Sequence, residues 1–282
     1  MSEADSSHSL VLTGNLWSLG GYPGPVNEWT EEDKIRFFAG EGFDAVTMGG
    51  RPGLGKWLKE EFDLRLCGFF QADTLQDIES AYLGEVEAGA ETINSFLGTP
   101  AATLDEAVRL FAEVDRLERL HGVPIHVETH RATMLEVPEF ALQLYQASHA
   151  NTGLWPRLCH DDSHISVVKH FSLSQLTEFL ELHRNPGLLK RSQQMHLRPF
   201  NGHHAQVPVL DPAGGETREF LEWMVYARSV VRAWQEAHEG AADLWIVPEL
   251  GPVSDGYALS TGPDMLSELK HCVARIRELF RR

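Results

Sequence analysis

A chain of 282 residues can make one large domain or two small ones, and 43% hydrophobic with 23% charged residues lies near globular averages, against disorder, coiled coil or a membrane protein. Its 24 Lys and Arg face 41 Asp and Glu, and a net charge of −17 repels phosphate backbones and anionic lipid, so neither nucleic acid nor a membrane is expected as a partner. Cys67, Cys159 and Cys272 are odd in number and form no CxxC pair, which fits a reducing compartment. The start, MSEADSSHSLVLTGN, is acidic and polar where a secretory signal needs a basic segment and an apolar run of roughly 7 to 15 residues. Residues 1–9 read as a disordered tail. No apolar stretch reaches the roughly 20 residues that cross a bilayer, so a soluble, cytoplasmic protein is expected.

Apolar runs then alternate with amphipathic stretches. A strand is predicted over Leu10–Trp17 and a helix over Thr30–Gly42, with Thr30 as its cap. Strands at 43–48, 64–71 and 91–97 alternate with helices at 54–62, 75–87 and 104–121, the last opened by a Thr103/Glu106 capping box. The second half continues in step. Strands at 124–129, 157–161, 192–197 and 244–249 alternate with helices at 137–148, 173–183, 218–238 and 263–280. Eight βα units over about 250 residues predict a single (β/α)8 TIM barrel spanning residues 1–282, with an open doubly wound sheet as the other arrangement such alternation allows. Neither a Gly-x-Gly-x-x-Gly turn nor a phosphate-binding loop is present, and the glycines at 20, 21, 24, 49, 50, 53 and 55 read as shaping βα loops.

In such a barrel the polar residues at the C-terminal strand ends converge on the axis. Strand five ends at Glu128, strand six at Asp161 or, one residue out of register, Asp162, strand seven at His196 and strand eight at Glu249. Glu128, Asp161, His196 and Glu249 are separated by 33, 35 and 53 residues, the first two being one repeat each. Three carboxylates and an imidazole without a thiolate suit one divalent ion such as Mn²⁺, Mg²⁺, Co²⁺ or Zn²⁺, rather than a structural zinc. Arg131 and Arg198 could grip a carboxylate, phosphate or hydroxyl cluster, or pair with Asp162, Glu136 or other acids. His203, His204 and Gln206 lie in the loop after strand seven, His130 next to the barrel interior. Trp17 offers an apolar wall or core packing, and Gln71 a hydrogen bond to a substrate.

The strings VETHR (127–131), DDSH (161–164), HLRPFNGHHAQVPV (196–209) and PELGP (248–252) resemble the xylose isomerase-like TIM barrels, a superfamily of sugar isomerases and epimerases, inosose dehydratases and endonuclease IV, also described as the AP endonuclease 2-type barrel. Within it they look like the proteins described as sugar phosphate isomerase/epimerase. The resemblance implies Glu128, Asp161, His196 and Glu249 as metal ligands, with Mn²⁺ favoured, and His164 as a substrate-binding histidine. It also implies a small carbohydrate substrate and a homo-oligomer. Two positions depart from the ketose 3-epimerases: Met134 stands where they carry a further Glu, and Gly202 where they carry an Arg.

The chemistry so implied is proton abstraction next to a carbonyl, with Glu128 and Glu249 as an acid/base pair on opposite sides of one carbon, giving an isomerase or epimerase. With a leaving group β to that proton the same site would be a dehydratase or lyase acting on a keto-sugar or inosose. An endonuclease IV-like hydrolase needs further ligands and opposes the net charge. A sugar-binding barrel without catalysis is the remaining class.

Overall fold

Strand is converted to helix by local chemistry at each rim. Thr30 and Thr103 close capping boxes with Asp33 and Glu106, and Thr74 and Thr217 accept the backbone N–H of Asp77 and Phe220. Glycines in the left-handed region at 89, 122 and 153 end three of the helices.

The computed structural model describes residues 8–258 and 262–281. In chain order it runs β1 (Ser9–Asn15), α1 (Glu31–Gly40), β2 (Ala45–Met48), α2 (Leu54–Phe62), β3 (Arg65–Ala72), α3 (Leu75–Ala88), β4 (Thr92–Leu97), α4 (Leu104–His121) and β5 (Ile125–Glu128). It continues with α5 (Pro138–Thr152), β6 (Leu158–His160), α6 (Asp162–Lys169), α7 (Leu173–His183), α8 (Pro186–Arg191), β7 (Gln194–His196), α9 (Arg218–Ala237), β8 (Asp243–Val247) and α10 (Met265–Glu278). The strands are parallel and close in sequence order, β8 pairing back onto β1 with Val11 beside Trp245. The fold is a (β/α)8 TIM barrel and the open sheet is excluded.

Two expectations need correction. Residues 8 and 9 do not belong to a disordered tail: Ser9 opens β1, with its backbone N–H on Ala242 O, and His8 Nε2 lies 3.0 Å from His238 O, while residues 1–7 lie outside the described residues. The unit after β6 also holds three helices rather than one. Asp161 and Asn185 each accept a backbone N–H two residues on, which starts α6 and α8 where only loop was read.

Helices pack their apolar stripes on the barrel. Trp223 and Trp234 of α9 are fully buried, and truncating such a residue to Ala typically costs about 3–5 kcal/mol. Inside, Val11, Ala45, Cys67 and Trp245 form an apolar plug of their own. Next to it lies a polar layer in which Gln194 Nε2 donates to Thr92 Oγ1 at 2.8 Å, and Thr92 Oγ1 lies 3.2 Å from His126 Nδ1. Side chains two residues further along these strands, Asn94, Glu128 and His196, begin the candidate site.

Candidate functional site

Each acidic or imidazole group comes from a strand end whose position is pinned. Thr129 joins β5 to β6 twice, its N–H donating to Cys159 O at 3.1 Å and its hydroxyl oxygen accepting the Asp161 N–H at 2.9 Å. His196 ends β7 in register with Val247, and Glu249 follows two residues later. The donor atoms of Glu128, Asp161, His196 and Glu249 all lie within 4.8 Å of one another, and all four residues are buried.

The surroundings orient each group. Asn94 Nδ2 donates to Glu128 Oε2 at 2.5 Å, and Asn15 Nδ2 to Glu249 Oε1 at 2.6 Å. Ser163 donates to Asp161 Oδ1 through both N–H and hydroxyl, at 3.0 and 2.6 Å. His196 Nδ1 lies 3.3 Å from both Glu128 Oε2 and Glu249 Oε2, and it is without a hydrogen bond, as is Glu128 Oε1. Buried polar atoms left open in this way call for a ligand, and three oxygens with one nitrogen suit a hard or borderline divalent cation.

Charge in the cluster is tightly shared. Burial opposes a charged imidazole at His196, yet Cys159, Glu128 and Glu249 around it hold its pKa well above 6.5. Burial would raise the Glu249 carboxyl, but His196 and Arg198 hold it well below 4.5. Cys159 lies with Glu128 and His196 as another set of metal-binding type, but burial pushes its thiol up to about 12, which favours the carboxylates as ligands.

Arg198 is buried and donates through one nitrogen to Asp161 Oδ2 at 3.2 Å and to Glu249 Oε2. Of the two readings for this arginine, the structure has it paired with acids. Its guanidinium carbon lies 4.6 Å from the Tyr257 ring centre and 5.9 Å from that of Trp17. Arg131 stands at the rim, donating to the Tyr257 hydroxyl.

Above the cluster opens a cavity of about 410 Å³ lined by Trp17, Phe69, Asn94, Phe96, Glu128, His130, Arg131, His196, Arg198, Glu249 and Tyr257, among others. His130, expected behind the site, lines the cavity and stacks on Phe96 at 3.9 Å. His164 packs edge-on against His130, with Nε2 3.5 Å from Asp161 Oδ2; burial, with His130 and Arg198 adding to it, holds this imidazole well below 6.5 and neutral. Trp17 follows β1 on a 3-10 turn (Leu16–Leu19) and forms cavity wall rather than core, its Nε1 donating to Asp255 Oδ2 at 2.5 Å.

Several expected residues lie elsewhere. Gln71 is exposed and outside the cavity lining, two residues beyond Phe69 on β3 and past the end of β2, whose last residue Met48 pairs with Gly68. His203 is exposed and faces His170 at 5.7 Å. His204 and Gln206 line an adjoining cleft of about 580 Å³ that shares Arg131, Asp255 and Tyr257 with the cavity. Gln206 braces the loop after β8, accepting the Gly251 N–H at 2.6 Å and donating to Gly251 O at 3.3 Å. Asp162 is turned away from the cluster, onto Arg184 and the Tyr226 hydroxyl. Gly202 has no room for an arginine: even a Cβ there would lie 2.2 Å from Phe171 O. Sequence reasoning missed Asn15, Asn94, Phe69, Phe96 and Tyr257. A lone Asn in the otherwise strand-like TINSFL was the available signal for Asn94, and the others carried none.

No family model matches the sequence, and a search of curated proteins finds no match. Solved structures do share the architecture. A probable 3-DHS dehydratase involved in petrobactin synthesis from Bacillus anthracis superposes with TM-score 0.58 at 14% identity, covering 96% of this chain and 99% of its own. The 3-keto-D-glucoside 4-epimerase from E. coli gives 0.57 at 14%, covering 96% and 100%. A xylose isomerase-like TIM barrel protein from Mycobacterium smegmatis, solved in complex with magnesium, gives 0.52 at 12%, covering 96% and 97%. The chain has the xylose isomerase-like TIM-barrel fold, and at these identities the likeness is one of fold alone.

Proposed function

We propose that this barrel is a divalent-metal-dependent isomerase or epimerase of a sugar or sugar derivative, acting by proton abstraction next to a carbonyl. The observation that carries it is the placing of Glu128 and Glu249. They are two buried carboxylates lining one cavity, at the end of β5 and two residues after β8, each with an oxygen 3.3 Å from His196 Nδ1. Glu128, Asp161, His196 and Glu249 would hold the ion, Mn²⁺ or Mg²⁺ by the hardness of the three carboxylates. When bound, such an ion supplies Lewis acidity toward a substrate oxygen and makes the neighbouring C–H more acidic.

The chain's own groups do the rest. Asn94 and Asn15 each fix one oxygen of Glu128 and Glu249, leaving Glu128 Oε1 free to take a proton from one side of a bound carbon. Glu249, kept ionised by His196 and Arg198, is the partner on the other side. Neutral His164 can donate to or accept from a substrate hydroxyl. A β leaving group would turn the same abstraction into elimination; the dehydratase sharing this fold supports that second reading.

The test is incubation of the Mn²⁺-loaded protein with ketoses, inososes and keto-glycosides in D₂O. Deuterium is expected at the carbon next to the carbonyl in at least one of them, and Glu128→Gln or Glu249→Gln should remove it. Phosphodiester cleavage without any exchange would transfer the site to hydrolytic chemistry.

A further inference from the structure

The charge around the cavity bears on what enters it. TIM barrels commonly grip phosphate with the loops after strands seven and eight. In this chain residues 197–217 and 248–264 contain no Lys and one Arg, Arg198, and of their acids Glu249 and Asp255 line the cavity. The one buried guanidinium at the cavity floor, on Arg198, is already committed to Asp161 and Glu249. Glu128, Asp161 and Glu249 bring three negative charges and Arg198 one positive, so a divalent cation brings this group to neutrality and leaves no surplus for an anionic substrate. Arg131 is exposed at the rim, laid over the Tyr257 ring at 5.2 Å, on a wall shared with Asp255.

The remaining wall is suited to a different kind of ligand. Trp17 and Tyr257 meet edge to face at 5.2 Å on one side, and Phe69 and Phe96 do so at 5.0 Å on another. All four line the same 410 Å³ space, within the range of small-molecule sites. Aromatic faces bind the C–H faces of a sugar ring, while Asn94 and His130 offer polar contacts at its edge.

We infer that the cavity takes an uncharged polyhydroxylated substrate, its ring against the aromatic walls, and discriminates against phosphate esters of the same sugars. The inference rests on the isomerase reading only for the carbonyl; the preference for neutrality rests on the charges and walls just described.

Saturation-transfer NMR on the full Mg²⁺-loaded chain tests it with matched pairs: D-fructose with D-fructose 6-phosphate, D-glucose with D-glucose 6-phosphate, and myo-inositol with its monophosphate. At least one neutral member should bind at least tenfold more tightly than its ester, with transfer concentrated on ring C–H protons. Trp17→Leu and Tyr257→Leu should each weaken that transfer. An ester that binds as well as its neutral partner overturns the inference, as does an absence of binding in every pair or transfer indifferent to both substitutions. Neutral sugars that bind but never exchange deuterium would sink the isomerase reading and leave this one standing.

Discussion

Asp161 and Asp162 are neighbours whose carboxylates are committed to opposite surroundings. Asp161 accepts from Ser163 at the start of α6 and faces His164 and Arg198 in the site. Asp162 points to the outer side of the barrel wall, where Arg184 and Tyr226 hold it in a buried, hydrogen-bonded pair. One residue therefore serves the ligand cluster and the next anchors the helix behind it.

That division gives separable variants. Asp162→Asn leaves the buried Arg184 without its counter-charge, and breaking such a pair costs about 3–5 kcal/mol. Urea unfolding should show that loss while Mn²⁺ still binds stoichiometrically. Asp161→Asn keeps a side-chain oxygen to cap α6, since Asn caps about as well as Asp, and leaves Arg198 paired with Glu249, so it should stay within about 1 kcal/mol of wild type in chelator. It should lose the metal. Matching losses in both variants would mean that the two carboxylates act as one unit.

Metal removal should be felt by the whole barrel, because the four donor residues come from the ends of four different strands. Binding at a hundredfold excess over Kd adds about 2.7 kcal/mol to the folded state. For a chain of this size that is a melting shift of roughly 5 °C between Mn²⁺ and chelator. Glu249→Gln should shrink it. Identical melting curves with and without chelator would remove the metal centre from this site.

The barrel was legible because its signal is repetitive: eight strands, each followed by helix, with caps such as Thr103 and Glu106 marking a boundary in purely local chemistry. Glu128, Asp161, His196 and Glu249 were legible as a converging set for the same reason, since strand ends in a barrel have little choice of direction. Tyr257 was not, and Arg198 was legible only as a choice between gripping a ligand and pairing with acids. The pairing of Arg198 with Asp161 and Glu249 depends on how three strand ends sit side by side, and Tyr257 reaches the cavity only through the path of the loop after β8. Gln71 misled because strand parity says which face a residue takes but not whether the cavity reaches it: Gln71 lies past the end of β2 and outside the lining, although Phe96 beside it on β4 lines the cavity.

Glu85 reaches from α3 to the backbone N–H of Gly50 at 2.8 Å, while its second oxygen is buried without a partner. Burial raises its carboxyl above the ordinary 4.5, against the lowering effect of its backbone hydrogen bonds. A raised folded-state pKa means stability present below the unfolded value and lost as pH rises through the folded one. In urea melts, wild type should therefore lose ground against Glu85→Gln as pH rises from below 4.5 toward neutrality. A stability gap that is the same at acid and neutral pH would show that the buried carboxylate is relieved in some other way.

Gly251 is a position at which the aromatic wall can be disturbed without replacing a charged residue. A Cβ there would stand 2.5 Å from Tyr257 Cγ and 2.8 Å from the Trp17 ring, so Gly251→Ala must push the two rings apart or displace the loop that Gln206 braces. The rings are partly exposed and can yield. The expected stability loss is accordingly small, about 1 kcal/mol, at the low end for overpacking. Metal stoichiometry should be unchanged, because Asn15 and Arg198, the residues that hold Glu249, are both kept. Sugar binding should suffer most. A tenfold rise in Kd, about 1.4 kcal/mol, is expected for whichever neutral sugar the wild-type cavity binds. Titrating that sugar into the metal-loaded variant checks it, and an unchanged Kd would mean that Trp17 and Tyr257 do not form the binding wall.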